Sequence, residues 1–287
     1  MKNLLNLLVL RVLGIKLPKY KFKIPKRYKL EKEFTLGCGE TYHNGKYWTV
    51  RENFNKDWQI GESWGNVQDN ANCFFQLEGD KNNNTIHTGH YIDLEVRPQE
   101  FFSNKINKNL HFKAGKIVSK DKFQYGIFRI RAKMPNFKYQ WCAIWLAGKV
   151  QPDNHIWQEI DIVENYNHNK VKFASSNKIY SQPNVHYIDK QGKHKMTSPS
   201  SKYIKQPDKR FVDYILWWEK DFIRIYYDNY LIYECTDKFI LNQFNEPMNL
   251  IINNAVEWEV ELTKEDIEEI SKADTTFCIA NVQYWSK

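Results

Sequence analysis

The sequence lacks closely spaced cysteines, a long uninterrupted apolar run and an internal repeat. Its five cysteines (Cys38, Cys73, Cys142, Cys235 and Cys278) form no C-x-x-C pair and no Cys/His cluster, so a zinc site is not indicated. We expect buried thiols, which do not reveal the cellular compartment. No repeat of 20–50 residues is visible, which argues against a solenoid or propeller.

The body of the chain also lacks net charge. The formal net charge of the 287 residues is +8, but residues 1–33 hold ten Lys or Arg and two Glu. The other 254 residues therefore contain 32 basic and 32 acidic side chains. Because nucleic-acid binding requires a basic surface, a neutral body without a recognised motif predicts no nucleic-acid partner.

Residues 1–33 are predicted to be a basic, partly apolar N-terminal arm. The apolar stretch 4–17 is shorter than the ~20 residues of a spanning helix, and Asn6, Arg11 and Lys16 interrupt it. A cleavable signal peptide is disfavoured because basic residues stand where small residues should precede cleavage. We expect an uncleaved arm, either at a membrane surface or disordered.

Short strand patterns dominate residues 34–287, which we predict to be one domain. Residues 123–134, 223–227, 230–234, 248–253 and 277–285 favour strands, and Asp228-Asn229 predicts a hairpin turn. The one predicted helix is short and begins after an N-cap at Thr263. Many strands with almost no helix indicate an all-β sandwich or barrel.

The stretch "WQEIDIVE" (157–164) sets three carboxylates among β-branched residues. In a regular strand Glu159 and Asp161 share a face, whereas Glu164 points to the opposite one. A β-bulge within Ile162-Val163 would return Glu164 to their face. Three crowded acids would raise the pKa of at least one of them, as acid catalysis at neutral pH requires. The alternative is a solvated edge strand whose charges discourage aggregation.

The acidic segment and its flanking blocks resemble glycoside hydrolase family 16. "EIDIVE" is similar to the bulged catalytic signature of that family's laminarinase-like branch. "GKIVSKDKFQYGIFRIRAKMP" (115–135), "WCAIWL" (141–146), "FVDYILWWEKDFIRIYYDN" (211–229) and "PMNLIINNAV" (247–256) follow other family blocks in order. The resemblance covers the chain from about residue 54 to its end.

This resemblance implies a concanavalin-like β-jelly roll of two antiparallel sheets with a concave carbohydrate cleft. It implies a retaining endo-β-glycosidase that acts on a β-linked polysaccharide, of the β-1,3/1,4-glucan or galactan type. Glu159 would be the nucleophile, Asp161 would orient and tune it, and Glu164 would be the acid/base. We expect a monomer without cofactor, and the implied substrate class favours a cell-envelope-associated or secreted protein. The substrate-binding candidates, which are aromatic rings and polar side chains, are Trp141, Trp145, His155, His186 and Asn253.

Departures from the family pattern limit these expectations. Ala280 stands where an Asp often helps to hold a structural calcium, so no metal is predicted. Glu257-Trp258 replaces a frequent pair of glycines, which predicts a reshaped cleft wall. Two further possibilities stay open at this point: a transglycosylase that uses the same site, and a non-catalytic, lectin-like protein on the same sandwich.

Overall fold

A computed structural model describes most of the chain. The described residues are 22–34, 36, 40–43, 46–49, 51–61, 72–77, 80, 85–88, 91–148, 158–166, 179–199, 204–206, 210–228, 230–258 and 260–287. Every structural statement below concerns these residues.

Strands make up most of the described chain. In chain order they are β1 (Lys29–Glu33), β2 (Glu40–His43), β3 (Lys46–Thr49), β4 (Trp58–Ile60), β5 (Cys73–Phe75), β6 (Ile86–Thr88), β7 (Ile92–Leu94), β8 (Val96–Ser103), β9 (Lys108–Ala114), β10 (Lys116–Phe123) and β11 (Gly126–Lys133). They continue with β12 (Trp141–Ala147), β13 (Glu159–Tyr166), β14 (Ile179–Ile188), β15 (His194–Thr197), β16 (Ile204–Gln206), β17 (Val212–Glu219), β18 (Phe222–Tyr227), β19 (Tyr230–Cys235), β20 (Met248–Asn253) and β21 (Phe277–Ser286).

Two antiparallel sheets of eight strands each form the body. The first, called the cleft sheet below, has the order β15-β14-β13-β12-β20-β10-β4, with β16 also paired to β14. The second, called the back sheet, has the order β19-β18-β17-β11-β21-β7-β6, with β1 also paired to β21. The predicted all-β sandwich is confirmed. Smaller sheets are the β2–β3 pair and the three strands β5-β9-β8.

Among the described residues, three helices accompany the strands: α1 (Arg51–Asp57), α2 (Lys238–Leu241) and α3 (Lys264–Lys272). The helix predicted after Thr263 is α3, and the Thr263 hydroxyl and Asp266 carboxylate form a capping box at its start. The other two helices were not predicted, because each is too short to show an apolar period. No helix in the described part of the chain has the length and apolarity needed to cross a bilayer.

The strand predicted over residues 123–134 is two strands. β10 ends at Phe123 and β11 begins at Gly126, which has a φ of 103°. A Cβ at Gly126 would lie 2.5 Å from the carbonyl oxygen of Trp285, so only glycine fits there. The predicted hairpin is confirmed, since β18 pairs with β19 and Asp228 turns the chain with a φ of 48°.

The core lies between the two large sheets. Alternate residues of the cleft sheet, such as Ile144 and Ile160, point inward and meet Phe128 and Leu216 of the back sheet. Because successive strand residues alternate between faces, their neighbours form the outer faces of the sandwich. The outer face of the cleft sheet holds the carboxylates described below.

Part of the predicted N-terminal arm lies on the back sheet. β1 pairs with β21, and Phe22, Ile24 and Tyr28 pack against the outer face of the back sheet. The described end of the segment 1–33 is therefore in contact with the body. The division into an arm and one domain from residue 34 stays a prediction.

Candidate active site

A β-bulge in β13 brings the three acids to one face. Trp145 pairs with Asp161 and Ile144 pairs with Val163, so Ile162 is an extra residue opposite the β12 ladder. Ala143, two residues before Trp145, then pairs with Glu164. Both pairs lie on the outer face of the cleft sheet, while Ile162 and Val163 both enter the core. The bulge predicted within Ile162-Val163 is confirmed.

A hydroxyl from the opposite sheet contacts this bulge. The phenol of Tyr227, in β18 of the back sheet, donates a hydrogen bond of 3.0 Å to the carbonyl oxygen of Ile162. A bulge disrupts the local ladder, and a buried carbonyl without a partner is costly. The hydroxyl of Tyr227 satisfies this carbonyl within the core and so stabilises the irregular register.

Glu159 and Asp161 form a buried pair of like charges. The pKa of Glu159 is raised to about 8. Burial is the larger cause, and the negative charge of Asp161 is the second. Burial and the charge of Glu164 raise the pKa of Asp161 well above its ordinary range. A hydrogen bond between the two carboxyl groups requires a proton on one of them. We therefore expect the pair to hold at least one proton near neutral pH.

His186 completes this cluster. The His186 Nε2 atom lies 3.0 Å from Asp161 Oδ2 and 3.9 Å from Glu159 Oε1. The His186 Nδ1 atom lies 2.9 Å from Nε2 of the exposed His194. One ligand-type atom each from Glu159, Asp161 and His186 falls within 4.8 Å of the others, a spacing that also suits a cation. We assign no metal to this cluster.

Glu164 is held by three donors. Trp141 Nε1 donates to its Oε1 over 2.9 Å, and the Tyr166 hydroxyl donates to the same oxygen over 2.8 Å. The Asn184 amide donates to its other oxygen, Oε2. With every oxygen engaged, the carboxylate has a fixed orientation on the cleft face. Tyr166 and Asn184 were missed by the sequence analysis, because register alone places them beside Glu164.

Tryptophans flank the acids. Trp145 is buried, and its Nε1 donates to Asn253 Oδ1 over 2.8 Å, so both side chains stabilise the cleft floor. Trp141 is half-buried and stacks on Trp258, with ring centroids 5.6 Å apart and planes 11° apart. Trp258 was noted only as a departure from a glycine pair. The structure makes it the second ring of an aromatic wall beside Glu164.

The predicted site residues are mostly brought together. Glu159, Asp161 and Glu164 share one strand face with His186, Trp141, Trp145 and Asn253 in the neighbouring strands. His155 lies outside the described residues. His186 lies in β14 with a ring nitrogen against the Asp161 carboxylate, and its contact to sugar hydroxyls stays a prediction.

Comparison with known proteins identifies the family of this chain. The model of the glycosyl hydrolases family 16 matches residues 60–270. The chain belongs to glycosyl hydrolase family 16. It is a glycoside hydrolase of the β-glycosidase type.

Relatives of this hydrolase are distant. A beta-glucanase from Rhodothermus marinus is 25% identical over 217 residues, which cover 68% of this chain and 67% of the relative. LamAcat from Zobellia galactanivorans superimposes with a TM-score of 0.61 at 18% identity, covering 81% of this chain and 92% of that one. A beta-porphyranase from the human gut bacterium Bacteroides plebeius gives 0.63 at 17% identity, with 93% and 94% covered. These likenesses show the β-jelly-roll fold.

Proposed function

We propose that this hydrolase cleaves a β-linked polysaccharide internally, with retention of configuration, through a covalent glycosyl-enzyme. The observation that carries the proposal is the bulge, which sets Glu159, Asp161 and Glu164 on one strand face. Without the extra residue in β13, Glu164 would point into the core and the site would hold only two acids.

Glu159 acts as the nucleophile in this proposal. Its carboxylate attacks the anomeric carbon while the bond from that carbon to the leaving oxygen breaks. Glu164 gives its proton to the leaving oxygen. In the second step a water molecule loses a proton to Glu164 and attacks the same carbon, which releases the Glu159 carboxylate.

Asp161 supports the nucleophile by holding the proton of the shared pair. When that proton resides on Asp161, the Glu159 carboxylate is ionised and accepts a hydrogen bond from its neighbour. His186, 3.0 Å from Asp161 Oδ2, orients Asp161 toward Glu159. Because the pKa of Glu159 is about 8, this reactive form becomes populated as the pH rises toward 8.

The cleft face supports the proposed substrate class. Trp141 and Trp258 offer flat apolar surface next to Glu164, and such rings stack on the C–H faces of pyranoses. Asn253 of β20, whose Oδ1 accepts a hydrogen bond from Trp145, has an amide nitrogen that suits a sugar hydroxyl. Together with the beta-glucanase relative, these features support a polysaccharide of the β-1,3/1,4-glucan or galactan type.

A product screen followed by azide rescue tests the proposal. The protein is first assayed on β-glucans and galactans, and the released oligosaccharides give the linkage and separate hydrolysis from sugar transfer. An activated aryl glycoside of the preferred sugar is then given to the Glu159→Ala and Glu164→Ala variants with azide. The first variant should yield the α-azide and the second the β-azide, because only the second still forms the covalent ester.

Both variants should lose at least about 10³-fold in kcat on the polysaccharide without azide. Glu234→Gln is the matched control, since Glu234 is paired with Arg224 on the back sheet, and it should keep native turnover. Azides of the same anomeric form from both variants would refute the assigned roles. Undiminished turnover in either variant would refute the site.

A further inference from the structure

The segment 22–30 is a basic strip on the outer face of the back sheet. Its apolar side chains Phe22 and Tyr28 pack on the sheet: the Phe22 ring lies 4.6 Å from that of Tyr226, and Trp217 Nε1 donates to the Tyr28 hydroxyl over 3.0 Å. The segment is therefore docked, with its polar side chains turned outward.

Four cations of this strip are exposed to solvent: Lys23, Lys26, Arg27 and Lys29. Leu30 follows them and is 48% exposed. Residues 22–30 contain no acidic side chain. A fixed row of cations beside an exposed leucine attracts an anionic surface that also has an apolar layer.

The sequence that precedes the strip has the same character. Residues 1–21 contain five Lys or Arg, ten Leu, Val or Ile and no acidic residue. Nine cations and no anion thus occupy the first 30 residues. Two signals together, apolar side chains and a polybasic segment, are what reversible attachment to a bilayer requires.

We propose that the outer face of the back sheet docks on a membrane that contains anionic lipid, through the strip 22–30. The cleft sheet lies on the other side of the sandwich, so its acids face away from the lipid. The docked hydrolase can then reach a polysaccharide that extends from the membrane. This surface is separate from the catalytic groups, and the proposal does not rest on their roles.

The test uses the full chain and two kinds of vesicle. Sedimentation with phosphatidylcholine vesicles containing 30% phosphatidylserine is compared with sedimentation on pure phosphatidylcholine. We expect binding at least about tenfold tighter to the anionic vesicles, weakened as salt is raised from 0.1 to 0.5 M because exposed charges are screened. Equal binding to both vesicles, or no binding, would overturn the proposal.

Two quadruple variants locate the contact. Changing Lys23, Lys26, Arg27 and Lys29 to Gln should weaken binding to the anionic vesicles at least about tenfold. The control changes Lys120, Lys122, Lys193 and Lys264 to Gln, which removes the same charge from exposed positions outside the back sheet, and should stay within about twofold of native binding. Equal weakening by both would mean that net charge, rather than this face, binds lipid.

Hydrogen exchange reports the orientation directly. On the anionic vesicles, exchange should slow in residues 22–30 and in β17–β19, and stay unchanged in β12–β14. Slower exchange in β12–β14 would place the cleft against the lipid and contradict the proposed geometry.

Discussion

Asp161 and Asp213 are both buried aspartates in the middle of a large sheet, but their surroundings are opposite. Asp213, in β17, is 6% exposed and lies 2.6 Å from the Arg129 guanidinium and 3.3 Å from that of Arg131. Asp161, in β13, is 2% exposed and lies beside Glu159, Glu164 and His186. The first arrangement neutralises a buried charge. The second gathers like charges at a cost in stability, which is typical of a functional site.

The largest expected difference between the two aspartates is in activity. Asp161→Asn removes the group that shares a proton with Glu159, so kcat on the preferred polysaccharide should fall about 100-fold. Asp213→Asn should leave kcat per folded molecule within about twofold. Steady-state kinetics on both variants checks this. A similar loss in both would mean that the two acids do not differ in function.

A smaller loss is expected when the core contact to the bulge is removed. Tyr227→Phe deletes the hydroxyl that bonds the Ile162 carbonyl, so Glu164 should be less well positioned and kcat should fall about tenfold with little change in KM. Tyr226→Phe is the control, because the neighbouring Tyr226 faces the outer side of the back sheet. If KM rises and kcat is unchanged, the hydroxyl affects binding instead of positioning.

Replacing Asp161 by Asn should shift the pH profile of kcat/KM in one direction. Glu159 must be ionised to act as the proposed nucleophile, and its pKa is raised to about 8 by burial first and by the charge of Asp161 second. Asn at position 161 removes the second cause, so the acid limb of the kcat/KM profile should move to lower pH. The native enzyme and the conservative Asp161→Glu variant provide the comparison. A shift to higher pH would contradict the pairing.

Replacing Glu159 should raise the stability of the fold, whereas replacing Asp213 should lower it. Between pH 4.5 and about 8, folded Glu159 holds a proton that the unfolded chain has released, so this group lowers stability as pH rises. Glu159→Gln should therefore raise Tm by a few degrees at pH 8 and less at pH 5 (on the order of 1 kcal/mol or more). Asp213→Ala should lower Tm at both pH values, because two arginines lose their partner. Calorimetry at the two pH values measures both effects.

β-branched residues mark the strand that carries the three acids. Alternation alone sends Glu164 to the opposite face, and it was the resemblance to the family signature that favoured the bulge. The sequence also predicted the hairpin at Asp228 and the cap at Thr263, which depend on local chemistry. It could not predict Tyr227 beneath the bulge or Trp258 beside Trp141. Tyr227 and Ile162 are 65 positions apart and meet because the two large sheets pack together. Trp141 and Trp258 are 117 positions apart and meet because β12 pairs with β20.

The hydrogen bond from the Tyr227 hydroxyl to the Ile162 carbonyl oxygen links β13 to the back sheet across the hydrophobic interior. Warming or substitutions that let the two sheets slide relative to each other would release the bulge before the strands themselves separate. Inactivation by heat should thus precede the loss of strand signal in circular dichroism. Engineers who seek a more durable enzyme would then do better to tighten the interface between the sheets than to reinforce the rim of the cleft.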